Sequence, residues 1–318
     1  MAEPLAAASG PGSAGSAAGP ATGAGGAPDE VRGLWTDAWA VLRGRPRFWI
    51  ASAIILVLLL MALAPSLFTS VDPAVGDLAR SRLPPGADAV FGHDLQGRDV
   101  YARAIHGAAP SLAVGFLATL GTMVVGALVG LLAGYARGWV DALLSRLGEI
   151  FAGLPFILGG IVILTSLNAP GELVGAGELV FQVVLTIVVL TWPVAMRIMR
   201  AAAIEASQQD YVKAARALGA GPGRIVLRHI LPNTLAPVLV YGTIQFGVFI
   251  GAEATLSFLG IGLRDPVVSW GVMIAEAKDR VQDMPWALFF PAGFLVLTVL
   301  AFVMMGDAVR DALDPRGR

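Results

Sequence analysis

Cysteine is absent from the chain, which excludes disulfides, thiol catalysis and thiolate-bound metal. Charge is scarce too: 14% of residues are Asp, Glu, Lys or Arg against 56% hydrophobic, too apolar a balance for an ordinary soluble domain. Lysine is rarer still. Neither Lys213 nor Lys278 follows a glycine, so no lysine can reach phosphates from a P-loop, and GAGPG at 219–223 reads as a turn. The three histidines, His93, His106 and His229, lack HExxH spacing, and no GxSxG occurs. His93, Asp94 and His106 therefore read as solvated loop residues, and no catalytic residue, metal centre or cofactor is expected. No nucleic-acid partner is expected either. What remains is a non-enzymatic integral membrane protein.

Residues 1–31 are almost entirely Ala, Gly, Pro and Ser and are expected to be a disordered tail. They lack the basic start and apolar stretch of a secretory signal. From Arg32 to Arg47 the composition changes. Leu34, Trp35, Trp39 and Leu42 share a helical face and Arg43, Arg45 and Arg47 follow it, the pattern of an interfacial helix in contact with membrane lipid or of a plain cytosolic tail.

Six charge-free runs come next, Trp49–Phe68, Gly107–Ala136, Ile150–Gly171, Leu179–Met196, Ile230–Ala252 and Met284–Gly306, each close to the roughly 20 residues that cross a hydrocarbon core. The fold class is all-α: a polytopic membrane protein with six transmembrane helices, because each helix satisfies its own backbone in lipid. Arg and Lys in alternate connecting segments number four, two, six and three against four, none and three. That bias places both termini in the cytoplasm. Gly126, Gly130 and Gly134 form a small-residue row for close helix packing. Pro155, Pro193 and Pro291 are expected to kink or unwind the third, fourth and sixth spans. Glu253 follows a long uncharged run and reads either as a headgroup-seeking end residue or as a pathway residue. Leu256–Gly262, too short to cross again, reads as a re-entrant or lateral element.

One polar island stands between two of the runs, Glu205 to Asn233. Tyr211, Ala215 and Leu218 fall at i, i+4 and i+7, an apolar stripe that could dock on a partner. Gly219 suits a left-handed helix cap, Pro222 the first turn of a second helix, and Pro232 the end of that helix. With Lys213, Arg216, Arg224 and Arg228, this helix–turn–helix cannot lie in lipid.

Several of these residues together resemble a known family. Ala214-Ala215, Gly219 and Leu231-Pro232 resemble the EAA loop of ABC-importer permeases, with Lys213 and His229 where Glu and Ile are commonest. Phe91–Leu112 is similar to the FGTDxxGRDxxSRxxxGxRxSL signature of dipeptide, oligopeptide and nickel permeases through Phe91-Gly92, Asp94, Gly97-Arg98-Asp99, Arg103, Gly107 and Ser111-Leu112; His93 and Ala109 depart from it. Glu253, Leu256–Gly260 and Ser269-Trp270-Gly271 resemble that family's ExxLSFLG…SWG block, and Gly306-Asp307 with Arg310–Arg316 its tail. The likeness spans roughly residues 34–316 and is closest to the second permease of the pair.

The resemblance implies a type I importer (MetI-like) permease fold. It divides the chain into the 1–31 tail, residues 32–106 with the interfacial helix, first span and external loop, and a five-helix core at 107–318 that carries the 205–233 loop. It further implies a plasma-membrane subunit of a prokaryote that imports di- or oligopeptides. Its expected partners are a homologous permease, two cytosolic ATPase subunits and an extracytoplasmic binding protein. Tyr211, Ala214, Ala215, Gly219, Leu231 and Pro232 would couple to the ATPases, with Arg197, Arg200 and Glu205 supporting the loop. Gly97, Arg98 and Asp99 are expected to be structural. Nickel or short sugars are alternative cargoes. A secondary transporter would need ionisable residues inside the bundle, and the sequence offers only Glu253.

Overall fold

A computed structural model describes residues 34–168 and 174–313. The expected tail at 1–31, the last residues of the third run and residues 314–316 of the closing motif lie outside the described residues. Within them the chain is helical, and two isolated β-bridges, Gly76 with Arg98 and His93 with Asp99, are its only extended pairings.

The core is a pair of long helices, α3 (Val100–Ala136) and α6 (Ala176–Ala206). Asp99 starts α3 by accepting a hydrogen bond from the Ala102 amide at 2.9 Å, which satisfies one of the free donors of a helix start. The small-residue row then does what its spacing predicts. A Cβ on Gly126 would stand 2.4 Å from the Ala195 Cβ, and one on Gly130 2.4 Å from the Met196 carbonyl oxygen, so glycine alone permits this approach of the two backbones. The Thr122 and Thr191 hydroxyls pair across the same contact at 2.9 Å. Gly130→Val therefore forces α3 and α6 apart, and the variant should lose about 1–3 kcal/mol of stability, read as a lower melting temperature in detergent.

The remaining helices wrap this pair. α1 (Leu34–Arg43) lies against the far end of α11 (Pro285–Leu313), and α2 (Pro46–Leu63) packs on α11 and α3. An ion pair between Arg45 and Asp311 joins the two ends. Trp39, Phe48 and Trp49 form an edge-to-face aromatic string at the α1–α2 elbow. α9 (Leu231–Phe258) crosses α3, α6 and α11, and α10 (Trp270–Ala277) seats the fully buried Trp270 between them. The Trp270 indole N–H donates to the Ala104 carbonyl at 2.8 Å.

Among the described residues five helices are long and apolar enough to cross a membrane: α2, α3, α6, the helical run Pro222–Phe258 and α11. The third expected span differs. α4 (Gly138–Ala152) and α5 (Phe156–Leu167) meet at 90° and make a sixth crossing only as a bent pair. Pro155 has no amide hydrogen to continue α4, and its ring disfavours helix in the residue before it, so the apolar run breaks at Gly153–Pro155. By contrast, α6 and α11 continue through Pro193 and Pro291. Leu256–Gly262 is no re-entrant element: its first residues finish α9 and the rest turn back on it, with Gly260 at φ +79° and the Gly262 amide donating to the Leu256 carbonyl at 2.9 Å.

Candidate functional site

At one end of the bundle the chain leaves α6, makes a short helix α7 (Asp210–Ala217), reverses, and re-enters through α8 (Pro222–Ile225). The reversal is a Schellman cap. Gly219 sits at φ +80°, its amide donates to the Arg216 carbonyl, and the Ala220 amide donates to the Ala215 carbonyl, both at 3.0 Å. Pro222 occupies the first turn of α8, where a missing amide hydrogen leaves nothing unsatisfied.

Pro232 does not end the second helix. Residues Val226–Ile230 form a π-turn that leads straight into α9, with Pro232 in the first turn of α9. The wider π-turn lets the Leu231 amide reach back five residues to the Val226 carbonyl, so the conflict between a proline ring and the preceding turn is taken up there. It also brings Ile225 and Ile230, five apart, to one side.

Those two residues and Val212 fix the hairpin. All three are buried, in one cluster with Leu131, Met199 and Ala203 of the α3–α6 pair. They were not among the expected site residues. Val212 sits beside Tyr211 and off the stripe, and the Ile225–Ile230 spacing fits no α-helical face, so only the π-turn reveals them. The predicted stripe points outward instead. Leu218 is 88% exposed and Tyr211 42%, Ala214 and Gly219 are exposed, and Ala215 is half-buried. Leu231 packs on the buried cluster, and Pro232 is exposed. The hairpin thus shows an apolar tip to its surroundings from a buried base.

The residues expected to support this loop divide three ways. Glu205 lines a cavity of about 320 Å³ at the hairpin's root with Gln209, Tyr211 and Asn233. Arg200 holds α4 rather than the loop: its guanidinium donates in fork geometry to Asp141, Nε to Oδ1 at 2.5 Å and Nη2 to Oδ2 at 2.6 Å. Arg197 lines a separate cavity of about 360 Å³ with Tyr241 and Gln245, at the α4–α5 break. Glu253 lies within the chain's own packing. It is fully buried, and its Oε1 accepts from the hydroxyls of Ser257 at 2.8 Å and Ser269 at 3.0 Å, clasping α9 to the start of α10.

The Phe91–Leu112 signature builds a compact cap at the other end. Gly97 has φ +70°, and a Cβ there would lie 1.8 Å from the Asp77 carbonyl oxygen. Asp94 Oδ1 accepts the Gln96 and Arg98 amides, both at 2.9 Å, and Asp94, Arg98, Arg103 and Glu276 alternate in a charge network. The structure gives these residues, with the capping Asp99, architectural work. Among the described residues no three His, Asp or Glu side chains gather where they could hold a metal ion.

Among the described residues the chain is thus a bundle of apolar helices with a broken span, a compact cap at one end and an exposed helical hairpin at the other, and its sequence relatives place this architecture among permease subunits of ABC importers. The chain belongs to the family described as binding-protein-dependent transport system inner membrane component, whose model matches residues 126–318; the N-terminal transmembrane domain of oligopeptide transport permease C matches residues 33–85. It is 36% identical to the dipeptide transport system permease protein DppC of Alkalihalophilus pseudofirmus, over 89% of this chain and 90% of the relative. With the oligopeptide transport system permease protein OppC of Bacillus subtilis the identity is 33%, over 90% of each. Among solved structures, an inward-facing MetNI methionine ABC transporter matches with TM-score 0.53 and 22% identity, over 66% of this chain and 96% of that one, which speaks to the fold. The expected six-span permease fold and the peptide-permease resemblance are borne out.

Proposed function

We propose that this chain, with a homologous permease, forms the membrane pathway of an ATP-driven importer of di- or oligopeptides, and that the 205–233 hairpin transmits the motion of two cytosolic ATPase subunits. An extracytoplasmic binding protein delivers the cargo, and both termini lie in the cytoplasm. The observation that carries the reading is the hairpin's construction: Leu218 and Tyr211 exposed at the tip, Val212, Ile225 and Ile230 buried at the base. A lone exposed leucine needs no explanation, but an apolar tip on a rigid base is what a docking helix requires. Tyr211, Ala214, Ala215 and Gly219 form the contact surface, and Leu231 and Pro232 pass its displacement into α9. When ATP binding draws the ATPases together, the hairpins move with them. The buried Ile225–Ile230 side then makes α9 and the α3–α6 pair follow. The names of the relatives, permeases for dipeptides and oligopeptides, support the cargo class.

Purification of the chain from its native membrane, followed by reconstitution with its co-purifying subunits, tests this. An ATP-hydrolysing chain should co-purify, and ATP inside-out of the cargo should drive peptide uptake. Uptake that needs no ATP, with no ATPase in the preparation, would replace the reading with a secondary transporter.

A further inference from the structure

The cavity at the α4–α5 break is not part of the hairpin, and its lining has a chemistry of its own. It holds about 360 Å³, in the range of sites for small molecules. Four helices and the break build it. Thr191 and Arg197 come from α6; Tyr241, Gln245 and Val248 come from one face of α9; Phe151 comes from the last turn of α4, Leu154 from the break and Phe156 from the start of α5. Non-helical backbone at the depth of the membrane is tolerated where protein covers it or where it lines an aqueous cavity, and here the break does line a cavity.

Its polar groups converge and share one electrostatic sense. Arg197 is the one formally charged residue of the lining, where no Asp or Glu occurs. Tyr241 adds a hydroxyl and Gln245 a carboxamide, both half-buried and four residues apart on α9, so that they stack toward the same space. Among the described residues Arg197 has no salt-bridge partner, whereas Arg200, one turn further on, is held by Asp141. Arg197 is exposed in the single chain, at the mouth of the cavity; a guanidinium there without a counter-charge, next to apolar walls, favours an anion with planar oxygens, and a carboxylate fits its fork. The walls, Phe151, Val248 and their neighbours, would pack an apolar side chain next to that carboxylate.

From this we infer that the cavity is a transit site for the C-terminal carboxylate of a short peptide, with Arg197 pairing the carboxylate and Tyr241 and Gln245 completing its hydrogen bonds. The inference rests on the peptide-importer reading and adds to it a point in the membrane subunit itself where cargo is selected. Arg197 here is a binding residue for the moving cargo and not a support of the hairpin.

The test uses the complete complex in proteoliposomes and two labelled tripeptides of one sequence, one with a free C-terminal carboxylate and one amidated. Selection by the binding protein enters the acid-to-amide uptake ratio equally for every permease variant, so a change in that ratio reports the membrane site. Arg197→Gln should lower the ratio about tenfold, the worth of one charge-assisted hydrogen bond. Arg197→Lys should retain most of the ratio, and Gln245→Leu, which leaves the charge in place, should lower it about threefold. Equal loss for both peptides in Arg197→Gln, or an unchanged ratio, overturns the site and leaves the importer reading standing. Failure of the wild-type complex to carry either peptide overturns the importer reading and the site with it.

Discussion

Replacing Leu218 by aspartate should lower ATP-driven uptake at least about thirtyfold while leaving the subunit as stable as the wild type. Two magnitudes separate these effects. Within the chain Leu218 is 88% exposed, and a surface substitution of this kind changes stability by about 0.5 kcal/mol or less. At a protein–protein contact a central anchor costs about 2 kcal/mol or more when lost, and here a carboxylate would also be desolvated without a partner. At 1.4 kcal/mol per decade, 2 kcal/mol is about a thirtyfold loss of ATPase affinity. Val212→Asp is the instructive comparison, because Val212 is buried in the cluster under the hairpin. It should reduce uptake and melting temperature together. The pair of variants is read by subunit co-purification and uptake alongside thermal denaturation in detergent. Wild-type uptake by Leu218→Asp would remove the hairpin tip from the coupling surface.

The sequence made that tip legible and hid its base for one physical reason. Turn chemistry is local: a glycine free to adopt φ +80° followed three residues later by a proline at a helix start describes the reversal without any distant contact. The small-residue row of α3 is just as local, since spacing alone shows which backbone surface is bare. Pro232 is different. Its effect depends on the turn before it, and a π-turn at Val226–Ile230 absorbed the missing donor that in an ordinary helix would have ended the element. Hydropathy likewise runs smoothly through Gly153-Leu154-Pro155 while the chain turns 90°. A residue's partner across the fold was the least visible of all. Arg200 meets Asp141 across 59 positions, and Glu253 meets Ser269 across 16, so charge and position at a membrane edge indicated only that each had a task.

Those distant contacts also divide the molecule mechanically. Glu253, Ser257 and Ser269 lock the end of α9 to α10, and the amide of Trp270 donates to the Ser111 hydroxyl on α3 at 3.2 Å. The cap at the far end from the hairpin is stitched to the same α10 through Glu276. At the hairpin end the base is held mainly by apolar contact, with the Arg200–Asp141 fork and the Arg137–Ser207 hydrogen bond beside it. A buried polar network has few alternative arrangements, so α10, the end of α9 and the cap form the stiffer end of the molecule.

Arg103→Met should be the most destabilising single change in the cap, lowering the melting temperature in detergent by on the order of 10 °C. The Arg103 side chain is 1% exposed, and its Nη1 donates to Asp94 Oδ2 at 2.5 Å and Glu276 Oε2 at 2.6 Å. Arg98 bridges the same two carboxylates, Nε to Asp94 at 2.7 Å and Nη2 to Glu276 at 2.9 Å, so two positive and two negative groups alternate and the network is neutral. Methionine preserves much of the buried volume but leaves two carboxylates sharing one guanidinium. Breaking a buried pair in this way costs about 3–5 kcal/mol, mostly the desolvation of the charge left behind. If that is the cause, removing the surplus charge should help: Arg103→Met with Asp94→Asn should recover about half of the loss, although it deletes one more ionic contact. Arg103→Lys should fall between, because an ammonium keeps the charge and gives up the fork that spans both acids. A loss under about 2 °C in Arg103→Met, or a double variant less stable than the single one, would mean that packing around α3 and α10 holds the cap and the charges only decorate it. The expected order, single variant below double variant below wild type, identifies charge balance as what binds the signature loop to α10.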